Sequence, residues 1–525
     1  MWLRARFAAT VLLVCGYAGC VRVCNLVVPA IMGAVSLPAF SQPNLGVFTD
    51  TADVGSVEHA GAAKYDAPSG TYTLTGSGVN MWGTADAFRF LWRKLDGDVS
   101  IAADVEWANR SGEPHKKAGV ILRAGAEPDD PYVDVMSHNE GLIAMQYRAD
   151  KGGPTLDIRT PIQAPATLRL ERTGDVFLAE VAGKDGVFHP IASFSLHLAD
   201  TVYAGLAVCA HNPANVETAT FSNVTLRNDG VIAGKDRLLE STLEIADIGS
   251  GLRTVARRAQ EHFEAPNWSR DGQSLYYNKD GGLYRLAVKD GEPVRIDTGK
   301  VRLNNDHGLS PDGTQIAISA SAGGGQSQIW IVPATGGEPK LIVKPQPSYW
   351  HGWSPDGKTL AYCAERNGNF DVYTVPVEGG EETRLTTAEG LDDGPDYTPD
   401  GQWIYFNSVR SGLMQIWRMH ADGSGQELVS RGPEGADWFA HPSPDGKWIV
   451  YIAYDKSVKE HPPNKNVELK LAAIAGGDPR VVATLFGGQG TINVNSWSPD
   501  STRFAFVSYR QVAPKAAAPL RPHQP

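Results

Sequence analysis

The side chains best suited to chemistry are two histidines, His307 and His351, and two acids, Glu264 and Asp393. The histidines precede a recurring Ser-Pro-Asp turn by one fixed interval and the acids by another. Four residues before the Pro of each turn (Arg270 in the first) stand Pro266, His307, His351, Pro395, Ala440 and Asn495. Two residues further back stand Glu264, Asn305, Tyr349, Asp393, Trp438 and Asn493. Imidazoles with a carboxylate are a ligand set for a divalent metal. His307 and His351, completed by Glu264 or Asp393, form the candidate metal site. The plainer reading is a set of polar side chains lining a wet channel. No other cofactor is called for. His441 falls one position out of phase and His420 lies in a third-strand region, so both are expected at the surface.

A second group lies earlier in the chain. Tyr132, Asp134, Met136 and His138 alternate along one strand-like run and so share one face. Gln146 and Arg148 fall nearby. Aromatic, acid and amide groups on a concave sheet suit sugar hydroxyls, whereas the plainer reading is a solvated sheet face. Retaining glycoside cleavage needs carboxyl groups about 5 Å apart. Asp104-Val105-Glu106 has no third acid in phase, so no catalysis is expected there. His115-Lys116-Lys117 reads as a charged loop.

The positioning elements follow from the turn itself. It occurs as Trp268-Ser269-Arg270-Asp271-Gly272, Leu309-Ser310-Pro311-Asp312-Gly313 and Trp353-Ser354-Pro355-Asp356-Gly357. It returns as Tyr397-Thr398-Pro399-Asp400-Gly401, Pro442-Ser443-Pro444-Asp445-Gly446 and Trp497-Ser498-Pro499-Asp500-Ser501. The aspartates step by 41, 44, 44, 45 and 55 residues, the period of a propeller or solenoid. Pro presets φ, Asp bonds nearby amides and Gly supplies φ > 0, so the turn is structural. An apolar strand follows each copy, such as Leu360-Ala361-Tyr362, then a third strand, a glycine turn and a fourth. After Asp500 only the second strand remains before a Pro/Ala tail. The missing pieces stand ahead of the first turn: Leu243–Ile248 as a third strand and Leu252–Ala256 as a fourth. Six blades, closed by N-terminal strands, result. Tyr454–Asn466, with His461-Pro462-Pro463, is a long insertion in the fifth blade, able to gate one face.

The half from 45 to 228 carries about a dozen short strands with period-2 patterning and no helical period, which predicts a two-sheet sandwich. Residues 229–240 read as a linker, 241–510 as the propeller and 511–525 as a disordered tail. The expected fold is all-β: a jelly-roll sandwich, then a six-bladed β-propeller.

A net charge of −11 without long charge runs argues against nucleic acid as a partner. Residues 1–41 read as an export signal cleaved near Ala39-Phe40-Ser41. An uncleaved anchor and a lipidated Cys20 are the alternatives, and membrane contact would come only through one of them. Of five cysteines, only Cys209 and Cys363 lie beyond this leader, so neither a disulfide framework nor a cysteine zinc site is expected.

Two resemblances extend this reading. Asn80–Phe88, Gly205–Asn212 and Phe221–Val224 resemble concanavalin-like jelly-roll domains of exported bacterial proteins, which implies that fold and a leaning toward glycans. The repeated Trp-Ser-Pro-Asp-Gly turn, over about 270 residues, resembles the six-bladed propeller of the TolB family. That implies export and a propeller mouth that binds a partner. The α/β domain preceding the TolB propeller is replaced here by the jelly roll, which puts a Tol–Pal role in doubt. The expected function is a cell-envelope binding or scaffold protein that contacts protein or glycan. The alternative is a carbohydrate-active hydrolase or lyase with a metal at the propeller mouth. A peptidase would need a Gly-x-Ser-x-Gly elbow, and the sequence has none.

Overall fold

The computed structural model describes residues 44–289, 291–430 and 435–514; the leader and the end of the tail lie outside these. Apart from one short 3-10 turn at Gly234–Asp236, the regular structure among the described residues is β throughout. Among the described residues, no helix is long and apolar enough to cross a membrane.

The first half forms two seven-stranded antiparallel sheets. One runs Asp50–Val54, Phe88–Asp96, Thr201–Cys209, Lys117–Arg123, Tyr132–His138, Ile143–Arg148 and Thr155–Thr160 from edge to edge. The other runs Phe188–Ser195, Val176–Ala182, Thr167–Thr173, Asp98–Trp107, Glu217–Gly230, Thr71–Gly76 and Ala62–Asp66. Alternate residues of each sheet meet in one apolar core. Val133, Val135 and Met145 of the first join Ile101, Leu168 and Phe177 of the second.

The opposite face of the first sheet is covered, which overturns the expected sugar platform. Tyr132, Asp134, Gln146 and Arg148 are all buried, as is nearly all of His138. The cover is the segment around the hairpin Met81–Trp82 and Ala85–Asp86. Met81 packs against Tyr132 and Met136. Asp86 accepts from Arg123 Nη1 at 2.6 Å and from Arg148 Nη1 at 2.8 Å. Lys117 donates to the Met81 carbonyl at 2.9 Å. Arg123 and Arg148 on this sheet face are thus neutralised by Asp86 of a distant loop.

The second half is the propeller. Five four-stranded sheets follow in order, over Phe263–Ile296, Arg302–Val343, Ser348–Arg384, Asp392–Leu428 and Gly435–Gly487. In the sixth, Leu238–Asp247 pairs with Arg503–Val512, and Arg253–Ala259 pairs outside it. Beyond these three strands, Trp497 makes an isolated bridge to Phe504. The last strand runs to Val512, past the expected end at 510, because Leu238 continues the ladder opposite it.

The repeated turn is structural in every copy. In the third blade Ser354 Oγ donates to Asp356 Oδ1 at 2.6 Å, while the Thr359 amide donates to Ser354 Oγ at 2.9 Å. The preceding aromatic ties blades together: Trp353 Nε1 donates to the Gly308 carbonyl and Trp497 Nε1 to the His441 carbonyl, both at 3.0 Å. Ser501, where the other copies have glycine, adopts φ 59° and accepts from the Asp445 amide of the neighbouring blade at 3.0 Å.

Asp86 holds two guanidinium groups that have no access to water. Removing one partner of a buried ion pair costs about 3–5 kcal/mol, because the other charge is left uncompensated. Asp86→Ala is expected to lower the urea midpoint of the full chain accordingly. An unchanged midpoint would mean that the cover contributes nothing to stability.

Candidate functional site

The inner strands of the propeller carry the side chains that differ from blade to blade. Each of the first five breaks register with its neighbour just before the turn. The breaks lie between Glu264 and Asn267, Leu303 and His307, Trp350 and Gly352, Asp393 and Asp396, and Trp438 and His441. A bulge of this kind re-aims side chains. Ala265, Gly394 and Phe439, five residues before the Pro position, accordingly have φ of 50°, 63° and 53°. Strict alternation, on which the two predicted rings rest, fails at these points.

A cavity of about 550 Å³ opens on the channel. Of the predicted residues, Asn305, Tyr349, His351, Asp393 and Asn493 line it. Asp306, Phe439 and His461 line it as well. His307, Glu264 and Trp438 do not. His307 is buried and lies outside the lining of this cavity, whereas His351 is part of it. Glu264 is engaged by His262 Nε2 at 3.1 Å and Asn278 Nδ2 at 3.1 Å. Trp438 is buried against the His461 ring, with centroids 4.4 Å apart. The fifth-blade insertion thus brings His461 over the cavity, where it also meets Phe439.

A second cavity, of about 260 Å³, is ringed by the turns, with Pro311, Pro355, Pro399 and Pro499 among its lining. Asn495 belongs here, and donates to Asp396 Oδ2 at 2.9 Å. His351 lines both cavities. His441, expected at the surface, is fully buried, with Nδ1 3.1 Å from Asp396 Oδ2 and Nε2 3.0 Å from the Ile492 carbonyl oxygen. His420 is exposed and stacks on Trp403, as its position suggested.

The electrostatic centre is His351, whose Nε2 lies 3.1 Å from Asp393 Oδ1. Burial works against its charge, but Asp393 and Asp306 outweigh that and raise its pKa to about 9. Burial likewise opposes ionisation of Asp393, yet His351 brings it down to about 2. Asp306 differs. Burial lifts it to about 7, the pull of His351 falling short and Asp393 adding to the rise. The result is one satisfied ion pair beside a carboxyl group short of a cation. Asp306 escaped sequence reasoning because it stands at the bulge position, between the two rings. Its only sequence signal was an acid adjacent to a ring residue.

The chain is thus a six-bladed β-propeller with a polar, blade-specific cavity on its channel. Residues 347–468 match the family described as the TolB beta propeller domain. An uncharacterised protein of Agrobacterium fabrum is 50% identical over 273 residues, covering 52% of this chain and 93% of that protein. A solved Agrobacterium tumefaciens structure described as a TolB candidate is 48% identical, with a TM-score of 0.51, over 52% of this chain and 99% of that one. The Tol-Pal system protein TolB of Francisella tularensis is 33% identical over 101 residues, 18% of this chain and 23% of that protein. The chain belongs to the TolB-type β-propeller family.

The His351–Asp393 pair makes stability pH-dependent. An unperturbed histidine titrates near 6.5, whereas the folded protein holds His351 charged until about 9. The contribution is complete below the unfolded value and fades as pH rises through 9. Denaturation midpoints of the full chain are expected to fall between pH 7 and 9.5. His351→Gln should remove that part of the slope, and an identical slope in the variant would contradict the assignment.

Proposed function

We propose that this is an exported envelope protein whose propeller cavity binds a segment of a protein partner bearing an ammonium or guanidinium group. The observation that carries this reading is Asp306. Its carboxyl group is buried beside the channel cavity, receives a hydrogen bond from Asn304 at 3.1 Å and has no cationic partner close enough to ionise it fully at neutral pH. A ligand cation in the cavity would favour its charged form. Around it, Tyr349, Phe370 and Phe439 offer aromatic surface, while Asn305, Gln489 and Asn493 offer amides. Cavities that combine apolar walls with a few polar groups are the usual form of a binding site. The resemblance to TolB-type propellers supports a protein partner. The two-sheet first half is read as a concanavalin-like jelly roll, supported by its shared core and by the Asn80–Phe88 stretch. Its covered face speaks against a glycan there.

A photo-crosslinking residue placed at position 349 or 461 of the full chain, in cells, tests the proposal. Discrete adducts are expected from these sites and not from position 340 on an outer strand, and Asp306→Asn should reduce them by at least about tenfold. No adduct, equal adducts from position 340, or adducts indifferent to Asp306→Asn would overturn it.

A further inference from the structure

The ends of three neighbouring strands of the first sheet bring together side chains that the sequence keeps far apart. Lys117 pairs with His138 on one side and with Cys209 on the other. Extending both ladders by two residues sets His115 between Glu140 and His211. Backbone bonds continue the first of them, from the Asn139 amide to the Lys116 carbonyl and from the Glu140 amide to the Pro114 carbonyl, both at 3.2 Å. His115 Nδ1 lies 3.1 Å from Glu140 Oε1. The ring of His115 stands edge-on to those of His138 and His211, with centroids 6.1 Å and 5.6 Å away. The nearest ligand atoms of His115, His138 and Glu140 all fall within 4.8 Å of one another.

His138 supplies the independent observation. It is 6% exposed, and neither ring nitrogen has a hydrogen-bond partner. A buried polar group left unpaired costs about 1–3 kcal/mol, and such groups call for a specific explanation. The neighbouring cations do not supply a partner. Lys117 Nζ is committed to Asn80 Oδ1 at 3.1 Å and to the Met81 carbonyl. Lys116 Nζ is held by Glu217 at 2.8 Å. His115 and Glu140, by contrast, are 51% and 42% exposed at the side chain, free to turn toward His138.

From this arrangement we infer that His115, His138 and Glu140 form a binding site for a single divalent transition-metal ion of the zinc class. Two imidazoles and one carboxylate are a recurrent zinc set, with bonds of about 2 Å, and leave a fourth position open. His138 forms the fixed floor. The two exposed ligands close the remaining distance, and the open position faces solvent. His211, held at φ 58° with Nδ1 3.7 Å from Glu113 Oε1, flanks His115. This site is separate from the propeller cavity and does not depend on the proposed partner.

The test uses the full chain, stripped with a chelator and titrated with Zn2+ by calorimetry and with Co2+ by visible absorption. One ion per chain is expected at this site. His115→Ala and Glu140→Gln, both at exposed positions that leave the fold intact, should each weaken binding at least about tenfold. His420→Ala, at an exposed position of the propeller, should leave that binding unchanged. Absence of binding by the parent chain, or an affinity indifferent to both His115→Ala and Glu140→Gln, would overturn the inference.

Discussion

The structure depends on one pairing, that of Leu238–Asp247 with Arg503–Val512. Each turn of the repeat makes a sheet with its own hairpins, but only this long-range ladder converts six sheets into a ring and removes the open edge. The pairing has a buried polar centre. Glu244 accepts from Arg253 Nε at 2.9 Å and from Ser508. The same blade holds the first half in place. Arg253 Nη1 donates to the Ile191 carbonyl at 2.9 Å, Arg258 pairs with Glu180 at 2.7 Å, and Arg510 pairs with Glu171. Burial opposes the charge on Glu171, but Arg510 and Arg169 hold it down to about 2. Ring closure and attachment of the two-sheet half therefore share residues, and a change in one reaches the other.

Much of this was legible in the chain. The period of the turn gave the blade count, and the shortfall after Asp500 pointed to the closing strands ahead of Glu264. Both follow from local chemistry repeated at fixed spacing, which sequence displays directly. Side-chain direction was less legible. In the second blade the inner strand takes four steps from Leu303 to His307 where its partner takes two, and in that irregular stretch Asp306 lines the cavity while His307 lies outside it. Nothing in the residue types at 303–307 announces that bulge. Arg148 and Asp134 failed for another reason. Their face is closed by a hairpin some fifty to sixty residues earlier in the chain, and the contact of Arg148 with Asp86 that compensates its charge is purely tertiary. His115 was read as part of a charged loop because its neighbours belong to two other strands, a relation that only strand order reveals.

The division between scaffold and site is physical. At the turns, Ser, Asp and the aromatic are consumed by hydrogen bonds within and between blades. Residues at and before the bulge are not needed for closure, so they vary from blade to blade. The ion pair of His351 and Asp393 sets the field there and leaves Asp306 undercompensated. The fifth-blade insertion adds His461 to the lining of the cavity, against Phe439.

Hydrogen exchange of the full chain, alone and with the protein partner captured at the propeller cavity, tests the central claim most directly. The account predicts slowed exchange in residues 304–306, 349–351, 391–394, 460–461 and 489–493, with the turns at 354–357 and 443–446 unchanged. Protection confined to those turns, or to the outer strands, would contradict it.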